Sequence, residues 1–259
     1  MRQDNTNAKL VVLTAGGQNP QVMINALARH FPNMAVIEER YESKSTLLKR
    51  RARRLGWLTA LGQLATMIVS RFGKRVANRR TLEILASYGG SGEENPSIPV
   101  TRVSSLNDAQ AHAAIAALQP DIVLTISCRL LTRATLAAIP CPVVNFHAGI
   151  NPAYRGQMGG YWARVEREEE NFGATLHLVD AGTDTGATLA EIRVKPAPDD
   201  TISTYPLLLT AAGTQATVEV LSNVLDRTAQ PYSPSGRSVL RFPPPVWTYL
   251  FHGLSRNIW

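Results

Sequence analysis

The sequence predicts an α/β fold built on a doubly wound, mostly parallel sheet with helices on both faces. Three observations carry that prediction. Short apolar runs recur along the chain, each bounded by glycine or polar turn residues. Stretches of helical periodicity separate them. The first run feeds a Gly-Gly loop, the usual opening of a strand–loop–helix–strand unit.

Taken in order, Lys9-Leu10-Val11-Val12-Leu13 reads as a buried parallel strand ending in Thr14-Ala15-Gly16-Gly17. Val22, Leu27 and their neighbours recur at helical spacing up to His30, and Met34-Ala35-Val36-Ile37 reads as the second strand. Val100-Thr101-Arg102-Val103 follows as a short strand. Asn107 and Asp108 can cap a helix through Leu118, which Pro120 ends. Asp121–Ile126 is the next buried strand, Thr132–Ile139 a helix, and Pro142–Phe146 completes the parallel series. Gly173–Val179 and Ala187–Val194 read as paired strands around a turn. Asp199-Asp200-Thr201 is expected to cap a long apolar helix running to about Leu225. Pro231–Pro245 should be extended, and the aromatic end, Val246–Phe251, should dock on the domain or on a second subunit. A catalytic domain over residues 1–226 and a C-terminal extension over 227–259 are the expected organisation.

The length of 259 residues allows a sizeable core, and 44% hydrophobic with 18% charged residues is ordinary for a globular protein. A polar start, Met1-Arg2-Gln3-Asp4, has no apolar core of a secretory signal. Cys128 and Cys141 form neither a metal-like spacing nor a disulfide framework. Both features lead to the expectation of a cytoplasmic protein without a metal.

The net charge of +7 is a local feature. Eleven Lys/Arg and no acidic residue lie between Lys44 and Arg80, so the rest of the chain is slightly acidic. Within this basic insertion (about 45–85), Leu47, Leu48, Leu55, Leu58, Leu61, Leu64, Ile68 and Phe72 form a helix-like stripe. The uncharged run Leu55–Ser70 is too short and too flanked by arginine to span a bilayer comfortably. Three readings compete: a helical hairpin packed on the domain or a partner subunit, a surface for a phosphorylated or nucleotide-bearing substrate, and an interfacial membrane helix. Nucleic acid is disfavoured, because aromatic residues for base stacking are scarce here.

The residues that carry chemistry are Asn145 and His147, two positions apart at a strand end and so on one face, and Asp184 on a later glycine-rich turn. An amide donor, an imidazole and a carboxylate suit attack by an amine on an acyl carbon. Amide and imidazolium N–H groups can stabilise the oxyanion, and the carboxylate can orient the imidazole or accept a proton. From residue types and spacing alone, a hydrogen-bonded strand-end histidine and a turn aspartate account for the same residues. The loop Gly16-Gly17-Gln18-Asn19 is not a dinucleotide fingerprint; it is either an anion-binding helix start or simply a tight turn.

The order of motifs adds to this. Asn-x-His after a strand, then Pro152-x-x-Arg155-Gly156, then Asp180-x-Gly182-x-Asp184-Thr185-Gly186 resembles the folate-dependent formyltransferase family. That family includes glycinamide ribonucleotide, methionyl-tRNA and sugar N-formyltransferases. The resemblance spans about Asp121–Val194, weakens over Leu10–Ile37 and is absent over Ser45–Leu85. It implies a Rossmann-like domain and transfer of a formyl group from N10-formyltetrahydrofolate to a primary amine, without a metal. Asn145, His147 and Asp184 match the family's catalytic Asn, His and Asp. Ser127, Arg129, Leu130 and Leu131 match the segment lining the pterin pocket, largely through backbone groups, and Asp180 and Gly182 match the loop closing its other side. Gly16, Gln18 and Arg155 are the expected acceptor-side residues, although Arg155 is read equally as structural.

Departures bear on the acceptor. Gly16-Gly17-Gln18-Asn19-Pro20 replaces the Gly-Ser-Asn loop of the glycinamide ribonucleotide enzymes, and Ala148–Pro152 replaces a Ser-Leu-Leu-Pro run after the histidine. About thirty-five residues follow the last expected helix, too few for the C-terminal barrel of the tRNA enzymes. The sugar N-formyltransferases are therefore the nearest resemblance. The expected acceptor is a nucleotide-linked amino sugar, such as GDP-perosamine or a dTDP-4-amino-4,6-dideoxy sugar for O-antigen assembly. Glycinamide ribonucleotide or another small amine is the alternative, and a non-catalytic folate- or nucleotide-binding module is the alternative of another class. Peripheral membrane contact through the basic insertion and a homodimer complete the expected partners.

Overall fold

The computed structural model describes residues 7–72 and 74–259, without the side chains of residues 74–76. The polar start and Gly73 of the basic insertion lie outside the described residues. Five strands, β1 (Leu10–Thr14), β2 (Ala35–Glu39), β3 (Val100–Val103), β4 (Ile122–Ile126) and β5 (Val143–His147), pair in parallel. A two-residue strand, β6 (Arg155–Gly156), lies apart from them. β7 (Gly173–Leu178) and β8 (Thr188–Arg193) extend the sheet antiparallel beyond β5, in the order β3-β2-β1-β4-β5-β7-β8. β1 and β4 are buried at every position, as central parallel strands covered on both faces must be.

Alternation along the strands divides the core in two. Leu10, Val12, Leu124, Val144 and Phe146 face one layer. It contains α1 (Gln18–Ala28), the short α7 (Gly159–Val165) and the 21-residue α8 (Tyr205–Leu225), of which α1 and α8 pack on each other. Val11, Leu13, Val123 and Val143 face the other, against α5 (Ala109–Leu118) and α6 (Arg133–Ala138). α5 starts as expected, the Asp108 carboxylate accepting the Ala111 N–H at 2.9 Å. The strand order reverses between β1 and β4, which opens a crevice at the carboxyl ends of the strands.

Two expectations need correction. Asp199–Thr201 do not cap α8: its N-cap is Thr204, and no side chain caps it. Asp199 and Asp200 instead hold Arg79 and Arg80 of α4 (Lys74–Ser87), with Asp200 at 2.9 Å from Arg80. The helix-like stripe read from Leu47 to Phe72 is not one continuous helix. Gly56, at φ 84, breaks it into α2 (Lys44–Leu55) and α3 (Trp57–Val69), a turn that a glycine accommodates without a Cβ clash. α3 buries Ala60, Gly62, Gln63 and Thr66 and turns Leu58, Leu61 and Ile68 outwards; Phe72, just beyond it, is also exposed.

The C-terminal residues fold back over the domain. β9 (Leu240–Arg241) pairs with β6, and α9 (Val246–Arg256) packs against α3. Gln63 and Thr66 of α3 donate to the Pro243 and Pro244 carbonyls at 2.9 and 2.8 Å, which explains why this helix buries polar side chains. Among the described residues no helix is long and apolar enough to cross a membrane.

Candidate active site

A cavity of roughly 700 Å³ opens at the carboxyl ends of β4 and β5. Asn145 and His147 reach it from β5, and the turn between β7 and β8 brings Asp184 over them. Asp184 is the hub. Its Oδ2 accepts the Gly156 N–H at 2.8 Å and lies 3.5 Å from His147 Nδ1. Its Oδ1 accepts from Asn145 Nδ2 at 3.3 Å and lies 3.5 Å from His177 Nε2. The residue sits at φ 51, a left-handed conformation that costs a non-glycine residue energy and concentrates at functional sites.

Each partner is itself oriented. Asn145 Oδ1 accepts from the Thr125 hydroxyl at 2.9 Å, which assigns the other end of the amide as donor, facing His177 and Asp184. His177 Nδ1 donates to the Leu178 carbonyl at 2.8 Å, leaving Nε2 to accept from Asn145 at 3.0 Å. His147 Nε2 donates to the Tyr154 carbonyl at 2.8 Å, so the lone pair of its neutral form is on Nδ1, beside Asp184. Gly149 allows this turn. A Cβ there would stand 2.4 Å from the Tyr154 carbonyl oxygen and 2.7 Å from His147 Nε2.

The electrostatics follow from burial. His147 is 6% exposed, and desolvation pulls its pKa below the ordinary histidine value, against the opposing pull of Asp184 and the Tyr154 carbonyl. Burial alone would raise the pKa of Asp184. His147, which is charged at the acid pH where Asp184 titrates, together with the neighbouring His177 and the Gly156 N–H, outweighs it and holds the carboxyl at about 2. At neutral pH the pair is a carboxylate beside a neutral imidazole. Its Nδ1 can take a proton and becomes, on doing so, a cation paired with Asp184.

The expected pterin-side residues are brought together. Ser127, Arg129, Leu130 and Leu131 line one side of the cavity, and Asp180 and Gly182 the other. The Arg129 side chain does not point free. It pairs with the buried Glu39 at 2.7 Å and donates to the Ser104 carbonyl, so this segment offers mainly its backbone and leucines. The Asp180 carboxylate is used within its own turn, accepting the Gly182 N–H and the Thr185 hydroxyl.

Three expected acceptor residues stand outside the cavity lining. Gly16 lies against the Glu38 carboxylate, and its carbonyl accepts from Tyr41 Oη at 2.7 Å. Gln18 packs its side chain over Gly92 instead. Arg155 clamps the aspartate turn from behind, donating to the Thr183 carbonyl at 3.0 Å.

Other residues, not among the expected site residues, line the cavity there. Arg50 and Arg54 of α2, together with Gln157, Leu240, Arg241 and Phe242, form the remaining wall. Arg50 is paired with Glu42, and Arg241 with Glu166. Arg54 stacks over the Phe242 ring at 4.8 Å and has no ion pair among the described residues. Asn107, expected only as a helix cap, instead ties down the pterin-side segment: it donates to the Leu130 carbonyl and accepts the Thr132 N–H. Glu39 does the same through Arg129 and the Leu106 N–H. Only the cationic bias of the insertion pointed towards any of these residues. Among the described residues no group of His, Cys, Asp and Glu could hold a metal ion.

An amide, an imidazole and a carboxylate gathered at the carboxyl edge of an α/β sheet are a set of groups suited to acyl-group transfer. A family model described as formyl transferase matches residues 74–221, more than half of the sequence, and the chain belongs to that family. The family's enzymes use N10-formyltetrahydrofolate as formyl donor. Methionyl-tRNA formyltransferase of Chlorobium chlorochromatii is 29% identical over 132 residues, which are 51% of this chain and 42% of that protein. The same enzyme of Anaeromyxobacter sp. (strain K) is 34% identical over 125 residues, 48% of this chain and 40% of its own. The matches thus span well under half the length of these relatives. Two solved structures share the fold. A sugar N-formyltransferase from a Shewanella species superposes with a TM-score of 0.54 at 13% identity, over 90% of this chain and 76% of its own. A glycinamide ribonucleotide transformylase from Symbiobacterium toebii gives 0.56 at 20%, over 92% and 96%.

Proposed function

We propose that the protein transfers the formyl group of N10-formyltetrahydrofolate to the primary amine of a nucleotide-linked amino sugar, with Asn145, His147 and Asp184 as its catalytic residues. The donor supplies the formyl carbon. The cavity suits it: the backbone and leucines of Ser127–Leu131 offer an apolar and hydrogen-bonding wall. The amine attacks the formyl carbon, and negative charge gathers on the formyl oxygen. The Asn145 amide N–H groups, which line the cavity, are neutral donors available to that charge when they leave their His177 and Asp184 partners. The reaction carries one proton from the amine to the leaving nitrogen. His147 Nδ1 can hold that proton in transit, stabilised by the Asp184 carboxylate.

The observation that carries the acceptor reading is the arginine wall. Arg50, Arg54 and Arg241 line the same cavity as the catalytic residues; Glu42 and Glu166 hold two of them, so Arg54, without an ion pair among the described residues, is the one free to meet a diphosphate. A ribose phosphate at the first glycine loop is disfavoured, because the Glu38 carboxylate stands against Gly16 and Tyr41 Oη against Gly17. The two free cysteines fit the cytoplasm as the compartment.

The test mixes protein and donor with a panel of amines and follows tetrahydrofolate release. Turnover with nucleotide-linked 4-amino sugars is expected. Turnover with glycinamide ribonucleotide alone would overturn the acceptor, and donor binding without turnover across the panel would leave a binding module.

A further inference from the structure

α3 is inside out. Around its axis Trp57, Leu58, Leu61 and Ile68 fall within one arc of about 100°, at 100° per residue, and Phe72 continues it in the following turn. All five are exposed, from 51% for Leu61 to 83% for Phe72, while the opposite face buries Ala60, Gln63 and Thr66. α9 repeats the arrangement. Trp247, Leu250, Phe251 and Leu254, at the i, i+3, i+4, i+7 spacing, are exposed from 37% to 80%, and Tyr249, His252 and Gly253 are buried. The two helices pack together, the Trp247 ring lying against Gly62, where a Cβ would come within 2.6 Å of it. The outward faces flank this contact, and three of their aromatic side chains, Trp57, Trp247 and Phe251, are exposed with the leucines. Single exposed apolar side chains are ordinary; two adjoining apolar faces of this kind mark an interaction site.

The charges around it select the partner. Residues 44–72 and 243–259, which build the surface and its edge, contain no Asp or Glu. Lys49 and Arg53 of α2, Arg71 just beyond α3 and Arg256 at the end of α9 are exposed. A second copy of the chain joined through this face by a twofold axis would bring a cationic rim to a cationic rim. An anionic lipid surface meets both features: its headgroups pair with the rim, and its acyl boundary takes the aromatic and leucine side chains.

We propose that the joined faces of α3 and α9 dock the protein on the surface of a membrane that contains anionic phospholipid, with neither helix crossing it. The inference is independent of the formyl acceptor. The full-length protein would be sedimented with vesicles of phosphatidylglycerol and phosphatidylcholine, and with vesicles of phosphatidylcholine alone. Binding to the mixed vesicles is expected, at least about tenfold weaker on the neutral ones, with a blue shift of tryptophan emission on binding. The double substitution Leu58→Glu, Ile68→Glu should reduce binding at least tenfold and leave the melting temperature and donor affinity unchanged. Arg53→Glu with Arg71→Glu should do the same through the rim. Three results would overturn the proposal: no binding to mixed vesicles, equal binding to both vesicle types, or unchanged binding by either double variant. A dimer that the first variant splits, without vesicle binding by the parent, would assign the face to a second copy.

Discussion

The carboxyl edge of the sheet and the α3–α9 face are built on opposite plans. At the sheet edge, polar side chains are buried and satisfied: Asp184 meets Asn145, His147, His177 and the Gly156 N–H within 3.5 Å. On the α3–α9 face, apolar side chains are exposed and the polar Gln63 and Thr66 face inwards. A buried polar network is costly unless complete, so its parts are interdependent and its chemistry can be read from geometry. An exposed apolar face contributes little to the fold of the chain that carries it, so its meaning lies in what covers it.

That contrast orders the expected effects of substitution. The largest belong to the buried network. His147→Ala and Asp184→Asn should each lower the rate of formyl transfer at least about a hundredfold, the scale for losing a proton-transfer or oxyanion-stabilising group. Near-normal single-turnover rates in either variant would remove that residue from the mechanism. Next comes the support of the pterin-side wall. Glu39→Ala strands Arg129 and the Leu106 N–H, and urea unfolding should show a loss of about 3 kcal/mol. That is the lower end for a broken buried pair, because Arg129 keeps a third of its side chain in water. A loss below half that figure would mean the ion pair is not what holds the segment.

A smaller effect is pH-dependent. His147 has a depressed pKa in the folded state, so acidification through 6.5 protonates the unfolded chain before the folded one. Stability should fall between pH 7.5 and 5.5, by at most about 1.4 kcal/mol per pH unit, and less steeply in His147→Asn. A slope that the substitution leaves unchanged would place the titration elsewhere. The smallest effect belongs to the exposed face: Phe72→Ser should change stability by no more than about 0.5 kcal/mol, against several for a core aromatic.

The same contrast explains what was legible in the sequence. The sheet strands were, since apolar runs and glycine turns are local signals. Asn145 and His147 were visible as an i, i+2 pair on a strand end, and Asp184 through the order of motifs. Arg129 was visible as a member of its segment, but its commitment to Glu39 was not. The partners are 90 positions apart, and no local pattern links them. Asn107 was visible as a capping residue type, yet Asp108 makes the cap and Asn107 braces the loop across from it. Of the stripe from Leu47 to Phe72, Leu58 to Ile68 lie on one helix, but periodicity only says that a helix has an apolar side. It does not say which way the side faces. Arg50, Arg54 and Arg241 meet at the cavity only because the insertion and the C-terminal residues fold over it from opposite ends of the chain.

In the proposed function, Arg54 at the cavity wall matches the formyl chemistry of Asn145, His147 and Asp184 to an anionic acceptor. The most direct measurement compares kcat/KM for one 4-amino sugar with and without its nucleoside diphosphate, with N10-formyltetrahydrofolate as donor. At least about a hundredfold preference for the nucleotide-linked sugar is expected, the scale of two charge-assisted hydrogen bonds. Equal kcat/KM for the two would contradict the account.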